Sequence, residues 1–385
     1  MTPEDSCKHI WVLGPVGSGK STALCNMIVQ DMQAGRGVIV LESKGALYYD
    51  VLDRIPSHRA EDVILIDVTD TQYPPGFNIL QGRPAVVAAD IQRLFDHLYP
   101  MDSRGVRVRQ GMFHAVLTLM TSKNAPQPMT FADIVPLCVP REDQVAFSDY
   151  LTRGIIHDEE LAAFWQDVEN KEGRETYFGP LLNRVWQLNG RRSIRNIIGQ
   201  SSSTINLEEA IRQRKIILIN TGRSTEGVDV AGLMGSIFLN AIWSAVRSHP
   251  LDLDNPLCLY LDEVQDLVNL PVAPEEMLNQ GRGMGMSITM AHQYLKQFKD
   301  KPAMLDAIMN SARTKMTFAC GGDDARVLAR EYGYGLTDAD FMHLGQHSVL
   351  AKVATGSTTS GPITGVTRRM ADVTANAARV RAHSR

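Results

Sequence analysis

The chain has 385 residues, more than one compact core usually organises, so we expect two domains or one large domain with an insertion. A hydrophobic content of 44% and a charged content of 21% are ordinary for a globular protein and exclude a disordered or fibrous chain. The formal net charge of −4 excludes a protein coated in positive charge, although it leaves room for a local basic channel.

Cysteine usage and apolar runs bear on the compartment in which the chain works. The five cysteines (Cys7, Cys25, Cys138, Cys258 and Cys320) lie far apart without a CxxC pair, which argues against a disulfide scaffold or zinc site and fits a reducing cytosol. We find no apolar run near the roughly 18–20 residues that span a bilayer, and the N-terminal MTPEDSCKH lacks the apolar segment of a signal peptide. The sequence therefore predicts a cytoplasmic chain without a membrane segment.

Short apolar runs alternate with helical stretches over the first part of the chain. Strands are predicted at 9–14, 37–42 and 63–68, and a helix is predicted from Gly19 to about Ala34. Each strand has Val, Ile and Leu at consecutive positions, which is typical of a parallel sheet covered by helices on both faces.

The pattern then becomes helical, because apolar residues recur at helical spacing and convincing strands are absent up to about residue 213. Beyond it the strand pattern returns, with strands predicted at 215–220, 257–263, 287–291 and 314–319 and a helix at 230–247. We therefore predict an α/β nucleotide-binding domain formed by 1–82 and 214–385, interrupted by an all-α insertion domain at 83–213. The last stretch of about 30 residues, rich in Thr, Ala and Arg, is expected to be loosely structured.

The strongest motif is GPVGSGKST, which satisfies the P-loop pattern G-x-x-x-x-G-K-[ST] and lies between a predicted strand and a predicted helix. Its glycines let backbone N–H groups and the helix N-terminus face the phosphates of ATP. Lys20 is expected to reach the β- and γ-phosphates, and the hydroxyl of Ser21 to bind Mg²⁺. A chance glycine turn is the alternative. The residues predicted to bind the nucleotide are Gly14, Pro15, Val16, Gly17, Ser18, Gly19, Lys20, Ser21 and Thr22.

A second motif, LCLYLDEVQDL, ends an apolar strand in the carboxylates Asp262 and Glu263. Parallel strands end at the same edge of a sheet, so this pair should lie beside the P-loop. We expect Asp262 to hold the Mg²⁺ shell and Glu263 to polarise the attacking water, the alternative being an acidic helix N-cap. The adjacent pair indicates hydrolysis, and the sequence has no guanine-reading NKxD motif, so an ATPase is predicted.

Three further polar residues give weaker signals. Gln293 follows a predicted strand and either senses the γ-phosphate between the two motifs or merely ends that strand. Arg282, in the glycine-rich loop NQGRGMGM, is either a solvated charge or an arginine finger that completes a neighbour's active site. Arg313 is a second finger candidate, with a surface or salt-bridge role as its alternative.

The order of these motifs resembles the HerA/FtsK superfamily of ring motors, most closely the conjugative coupling proteins of type IV secretion (TraD/TraG-like). The matching segments are GPVGSGKST, VIVLESKG, VILIDVTDTQYPPGFNIL, LYLDEVQDL, NQGRGMGMSITMAHQ and NSARTKMTF, and the spacing GR-x-x-G-x-S-x-x-x-x-x-Q is the most discriminating. The resemblance implies a RecA-like P-loop NTPase fold, with Arg282 as the trans arginine finger and Gln293 as the sensor. It also implies a ring, expected to be a hexamer, with ATP between subunits and DNA in the central channel.

The sequence departs from this family in two places. Relatives often carry DPKGD after the second strand, whereas this chain has ESKGA, so Glu42 and Lys44 remain and Ala46 replaces the second acid. An auxiliary polar role of that acid is therefore in question. Coupling proteins usually begin with transmembrane helices, and none is found here. We expect either a soluble relative or the cytoplasmic part of an inner-membrane-associated protein.

These observations predict an ATP-hydrolysing DNA translocase that works in conjugative transfer or type IV secretion, with secretion-channel or relaxosome proteins as partners. Basic clusters at 104–109 and 190–195 and near the C-terminus are either solvated faces or sequence-independent DNA contacts. Two alternatives stay open: an ATPase that energises protein secretion or DNA end-processing, and a nucleotide-gated adaptor that recruits substrates without translocation. The intact Glu263, Gln293 and Arg282 favour turnover over gating.

Overall fold

The computed structural model describes residues 2–98, 105–171, 173–267 and 274–384. The chain forms two compact units, one made of residues 1–67 with 207–385 and the other of residues 68–206.

The strands all lie in the first unit. Within the described ranges they are β1 (Ile10–Leu13), β2 (Val38–Glu42), β3 (Val63–Asp67), β4 (Ile216–Asn220), β5 (Leu257–Asp262), β6 (Met286–His292), β7 (Thr314–Phe318), β8 (Ser348–Lys352), β9 (Ala354–Thr355), β10 (Thr358–Thr359) and β11 (Ile363–Val366). Nine of them form one sheet in the order β11-β8-β7-β1-β6-β5-β2-β4-β3, and β9 and β10 form a small hairpin. The pairs from β7 to β3 are parallel, whereas β8 is antiparallel to both β7 and β11. This sheet confirms the predicted α/β class with a mostly parallel centre.

The central strands are buried along their whole length, as the runs of consecutive apolar residues predict. Strands β1 to β7 are the seven strands predicted from the sequence. Strands β8 to β11 were not predicted. Strands β9 to β11 are short and carry Thr and Gly among few apolar residues, and the apolar run of β8 is limited to Val349, Leu350 and Ala351.

Helices cover the sheet and make up the second unit. In chain order they are α1 (Pro3–Ser6), α2 (Lys20–Gln33), α3 (Ala46–Leu52), α4 (Pro84–Leu98), α5 (Gly105–Thr121), α6 (Ile134–Cys138), α7 (Val145–Arg153), α8 (Glu159–Lys171), α9 (Arg174–Asn189), α10 (Arg192–Ile198), α11 (Leu207–Arg212), α12 (Arg223–Glu226), α13 (Val228–Ser248), α14 (Val264–Leu267), α15 (Pro274–Gly283), α16 (Pro302–Ser311), α17 (Gly322–Tyr332), α18 (Asp338–Met342) and α19 (Ala377–Ser384). Short 3₁₀ helices occupy Ser57–Asp62, Phe131–Asp133, Glu142–Gln144 and Leu295–Phe298.

One face of the sheet is covered by α2 and α3. Leu24, Ile28 and Met32 of α2 are fully buried at the helical spacing that places them on one side, and they share a core with Val40 of β2 and Val51 of α3. This packing holds α2 against the sheet, so the residues at its start have a defined position.

Helix α13 corrects one sequence expectation. No apolar run of membrane-spanning length was expected, yet α13 is the one helix in the described ranges that is long and apolar enough to cross a bilayer. Inside the unit, 67% of its most apolar window is buried, including Phe238, Ile242 and Trp243. The helix itself was predicted at 230–247. Its membrane-spanning length and hydropathy were missed because Gly, Ala and Ser residues interrupt its strongly apolar side chains.

Helices are the only regular secondary structure in the described residues of the second unit, and α5 packs against each of α4, α6, α7, α8 and α9. It starts at 68 and ends at 206, whereas the predicted insertion runs from 83 to 213. The earlier start follows from the turn before α4, where the amide of Phe77 donates to the carbonyl of Ile197 at 2.9 Å. The earlier end follows from α11, which packs on α13 of the first unit.

We expect the second unit to be removable. Replacing 68–206 by a short linker should leave a first unit that unfolds cooperatively, because α11 and its buried Leu207 and Ile211 remain. Removing 83–213 instead should lower the melting temperature by a further 5–15 °C, roughly, because those apolar contacts are lost. Circular dichroism melts of the two deletions measure the difference. Equal melting temperatures would contradict these boundaries, and loss of all secondary structure in both would contradict separability.

The C-terminal stretch was predicted to be loosely structured, and that prediction is wrong. Strand β11 pairs with β8, and α19 packs against β3 with Val380 fully buried. Between them, the amide of Thr374 donates to the carbonyl of Asp53 at 2.7 Å. The pattern was missed because side-chain and backbone hydrogen bonds to distant residues, rather than apolar periodicity, hold this stretch in place.

Candidate active site

Four loops meet at one edge of the sheet because their strands are parallel neighbours. The P-loop follows β1, Glu263 follows β5 and Gln293 follows β6, while Lys44 lies just beyond β2. Strand β6 lies between β1 and β5, and β2 lies on the other side of β5. This edge therefore gathers both predicted motifs and the predicted sensor.

The P-loop is held by backbone contacts and by glycines in a conformation that other residues rarely adopt. The amide of Gly14 donates to the carbonyl of His292 at 3.1 Å, which ties the loop to β6. Gly17 and Gly19 have φ angles of 80° and 109°. Gly19 immediately precedes α2, and no side chain caps this helix N-terminus. The first amides of α2 thus lack intrahelical acceptors and are oriented to bind an anion.

Lys20, in the first turn of α2, is the buried cation of the site. Its ammonium contacts Oδ1 of Asp262 and lies 3.7 Å from Oε1 of Glu263. A buried charge needs an opposite charge beside it, and the two carboxylates provide it here. Lys20 therefore stands between the P-loop and the acidic pair, where phosphate oxygens could replace the carboxylates as its partners.

Glu263 is the most heavily coordinated carboxylate of this edge. Oε1 accepts hydrogen bonds from Nζ of Lys44 at 2.7 Å and from Nε2 of Gln293 at 2.6 Å, and Oε2 accepts one from Nε2 of Gln265 at 2.7 Å. Burial alone would raise the pKa of Glu263, but the charge of Lys20 and these hydrogen bonds outweigh it and lower the pKa to about 2. Glu263 also has a φ angle of 55°, a strained backbone for a non-glycine residue. It is thus a fixed, ionised hydrogen-bond acceptor.

The two arginine-finger candidates, Arg282 and Arg313, lie away from the P-loop edge of the sheet. Arg282 was predicted in a glycine-rich loop, but it lies in the last turn of α15, because the preceding residues form a helix that ends at Gly283. This position precedes the amino end of β6, whereas Gln293 follows its carboxyl end; the seven residues of β6 separate them by about 20 Å. Arg313 precedes the amino end of β7, and its guanidinium donates to the carbonyl of Ser357 at 3.3 Å. The structure therefore brings neither arginine to the P-loop of its own chain.

Sequence reasoning assigned no role to Gln265 or His292, and none beyond the motif match to Lys44. Nζ of Lys44 and Nε2 of Gln265 both bind Glu263, and His292 binds the P-loop through its carbonyl. Nε1 of Trp11 donates to Nε2 of His292 at 2.7 Å, and burial lowers the pKa of His292 to about 4, so the ring is neutral. Their position in the sequence could have revealed Lys44 and His292, because each lies at the carboxyl end of a predicted strand and such ends meet at one edge of a parallel sheet.

Glu42, the acidic residue of the segment ESKGA, ends β2 in a buried position. Oε2 of Glu42 accepts a hydrogen bond from the amide of Tyr48 at 2.9 Å. Burial raises its pKa to about 7; backbone hydrogen bonds act in the opposite direction, and the charge of Asp262 adds to the rise.

This shift predicts a pH-dependent stability. A carboxyl whose pKa is raised by folding stabilises the protein fully below its unfolded pKa, and that contribution is lost as the pH rises through about 7. The free energy of unfolding of wild type, relative to Glu42→Gln, should fall by about 1–3 kcal/mol between pH 5 and pH 8. His9 and His292, with pKa values lowered to about 4 by burial, titrate in the opposite sense in both proteins and cancel in the difference. Urea denaturation at a series of pH values measures this difference. A difference in the free energy of unfolding that stays constant from pH 5 to pH 8 would contradict the prediction.

Solved structures share this architecture. The unbound bacterial conjugative coupling protein TrwBΔN70 superposes with a TM-score of 0.67 at 12% identity, covering 97% of this chain and 88% of that chain. The chain has the fold of a conjugative coupling protein. The plasmid coupling protein TrwB in complex with ADP and Mg²⁺ gives 0.66 at 13% identity, covering 96% and 87%. VirB4 of Thermoanaerobacter pseudethanolicus gives 0.58 at 15% identity, covering 96% and 90%.

These likenesses confirm the RecA-like α/β fold and, at the level of fold, the predicted resemblance to coupling-protein motors. No family model and no curated protein matches the sequence. The role of each residue must therefore be argued from the geometry of this site.

The residues present fit a nucleoside triphosphate with Mg²⁺. The uncapped start of α2 and the buried Lys20 suit phosphate oxygens, and the Ser21 hydroxyl and Asp262 carboxylate are the hard oxygen ligands that Mg²⁺ prefers. Lys20 is paired with Asp262 in this structure; with a triphosphate and Mg²⁺ bound, phosphate oxygens would take the place of Asp262 beside Lys20, and Asp262 would help to hold the metal.

Proposed function

We propose that the chain is an ATP-hydrolysing motor that assembles as a ring, expected to be a hexamer, and moves DNA in conjugative transfer or type IV secretion. The observation that carries this proposal is the ionised Glu263, bound by Lys44, Gln265 and Gln293 at the P-loop edge of the sheet. A protein that only binds and releases ATP does not need a carboxylate held so firmly beside the P-loop.

In this proposal each residue of the edge has a separate task. ATP supplies the phosphoryl group that is transferred to water. Residues Gly14 to Thr22 cradle its phosphates, Lys20 binds the β- and γ-phosphates, and Ser21 with Asp262 holds Mg²⁺. Glu263 orients the attacking water by accepting its hydrogen bond. In the nucleotide-free chain Glu263 is already ionised, because its pKa is lowered to about 2, so it is ready to accept that hydrogen bond.

Gln293 is the proposed sensor, because its amide reaches Glu263 from the strand that also binds the P-loop. Arg282 is the proposed finger for a neighbouring subunit. Its exposure and its place at the far end of β6 support a role outside this chain's own site. A finger supplied in trans couples hydrolysis to ring assembly, which a translocating motor requires.

DNA, secretion-channel proteins and relaxosome proteins are the proposed partners, and the cytoplasm, alone or beneath the inner membrane, is the proposed location. The solved relatives are described as conjugative coupling proteins and as VirB4, which supports this assignment. A modest number of Lys and Arg per subunit, repeated around a ring, is enough to follow phosphates despite the net charge of −4.

DNA-stimulated hydrolysis tests the proposal. We expect the purified chain to hydrolyse ATP with Mg²⁺, to do so faster with DNA, and to elute as a larger species with an ATP analogue and DNA. A nucleotide-gated adaptor would bind ATP without any stimulation by DNA, and this result would replace the motor with the adaptor. Stimulation by a secreted protein but not by DNA would indicate a protein-secretion ATPase.

A further inference from the structure

The C-terminal part of the chain contributes a second wall to the P-loop. His347 lies just before β8 and Thr367 just after β11, and the antiparallel pairing of Ser348 with Val366 sets them side by side. The amide of Thr367 donates to the carbonyl of His347 at 2.9 Å, and Oγ1 of Thr367 donates to the same oxygen at 3.2 Å. These two residues therefore form one fixed pair.

This pair lies directly against the phosphate-binding backbone. The amide of His347 donates to the carbonyl of Ser18 at 3.2 Å. A Cβ atom placed on Gly19 would lie 2.7 Å from Nδ1 of His347 and 3.2 Å from Oγ1 of Thr367. Both polar side chains thus touch the P-loop where α2 begins, and a side chain at position 19 would displace them.

The backbone conformation of His347 and the surroundings of its imidazole indicate that this residue binds a ligand. The side chain is exposed, and the φ angle of His347 is 63°, in the left-handed region that few non-glycine residues adopt. Within the described ranges neither ring nitrogen has a hydrogen-bond partner. The polar ring, which lies beside the P-loop in an exposed residue, is well placed to bind what the P-loop binds.

The order of the strands gives the end of the nucleotide that His347 would meet. Glu263 and Gln293 follow β5 and β6, on one side of β1, whereas His347 precedes β8, on the other side. The γ-phosphate must lie toward Glu263 for hydrolysis. The nucleoside end then lies toward β8, so His347 faces the α-phosphate and ribose rather than the reacting phosphate.

We propose that His347 is a nucleotide-binding residue that contacts the α-phosphate and ribose, with Thr367 fixing its position. This inference rests on the proposed nucleotide-binding function and adds a residue outside both sequence motifs. A hydrogen bond from the imidazole to a charged phosphate oxygen should strengthen binding about tenfold. The contact lies away from the reacting bond, so it should serve ADP and GDP as well as ATP.

Calorimetric titration of the full chain with ADP and Mg²⁺ tests this inference. His347→Gly removes the ring and relieves the positive φ, so its melting temperature without nucleotide should equal or exceed that of wild type. Its dissociation constants for ADP and GDP should rise about tenfold. His343→Ala, which removes another exposed histidine of the same region, is the matched control and should bind both nucleotides as wild type does.

Inorganic phosphate, which should fill only the β-phosphate position at the start of α2 and lacks both the α-phosphate and the ribose, should bind wild type and His347→Gly equally. A matching loss of affinity for inorganic phosphate would move the contact to the β-phosphate and overturn its placement. Unchanged ADP affinity in a folded His347→Gly would overturn the inference while leaving the proposed function intact. If that variant melts early, His347→Asn is decisive, because asparagine also tolerates this φ and its shorter side chain does not reach the position of the imidazole. An ADP affinity equal to that of wild type would then overturn the inference. Absence of ADP binding by wild type would overturn both the inference and the proposed function.

Discussion

Glu263→Gln should abolish ATP turnover while leaving ATP bound. The substitution keeps the shape of the side chain but removes the charge that orients the attacking water, so the rate of hydrolysis should fall by about 10²–10⁴. Oε1 of Glu263 now binds both Lys44 and Gln293, and an amide can retain only part of that set. Any ring that ATP stabilises should then be trapped, which sizing chromatography with ATP can measure beside the hydrolysis rate.

Lys20→Ala is the matched comparison, because it should abolish turnover for a different reason. Lys20 is the proposed ligand of the phosphates, so its removal should weaken ATP retention as well as hydrolysis. It also leaves Asp262 and Glu263 without their buried partner, which should lower the stability of the nucleotide-free protein. A wild-type rate of hydrolysis in Glu263→Gln would show that Glu263 has no catalytic role. Equal ATP retention in both variants would contradict the assignment of phosphate binding to Lys20 and of water orientation to Glu263.

Arg282→Ala should leave ATP affinity nearly intact while the rate of hydrolysis falls by about 10³–10⁵. The charge that develops on the γ-phosphoryl group must be met by cations, and Lys20 with Mg²⁺ meets only part of it. Arg282 lies at the opposite end of β6 from Gln293, so it is far from its own nucleotide and available to a neighbour's. Arg313→Ala is the control, because that guanidinium is already bound to the carbonyl of Ser357.

Mixing experiments distinguish a ring with active sites shared between subunits from subunits that each hydrolyse ATP alone. When Arg282→Ala is titrated into wild type, each mutant subunit should disable the neighbouring site that it completes, so activity should fall faster than dilution explains. Arg313→Ala should lower activity by dilution at most. A linear loss with Arg282→Ala, together with a specific activity independent of protein concentration, would mean that each subunit hydrolyses alone.

The parts of the site that the sequence predicts are those that local patterns encode. The P-loop is contiguous, and its glycines have positive φ angles at Gly17 and Gly19, where the motif requires them. The acidic pair follows a run of apolar residues that can only be a buried strand. Such signals need no knowledge of distant residues, so the acidic pair could be placed beside the P-loop before the fold was known.

The contacts that escaped prediction join residues far apart in the chain. Lys44 and Glu263 are 219 positions apart, and His347 reaches Ser18 from near the C-terminus. The sequence shows which side chain follows each strand, but it does not show the order of the strands in the sheet. That order determines which of these side chains come into contact. Arg282 was misplaced for a local reason, because glycines at 281, 283 and 285 favour a loop while the preceding residues favour a helix.

Helix α19 has a consequence for how the protein behaves when it is shortened. Strand β3 ends the sheet, and on its open side the amide of Leu65 donates to Oγ of Ser384 at 2.9 Å, while the side chain of Arg379 pairs with that of Glu61. An uncovered outer strand presents unpaired amides and carbonyls on which other chains can build. A truncation before α19 would uncover such a strand, rich in Val and Ile. Precipitation of truncated protein would then report intermolecular sheet growth from β3, not a change at the P-loop edge of the sheet.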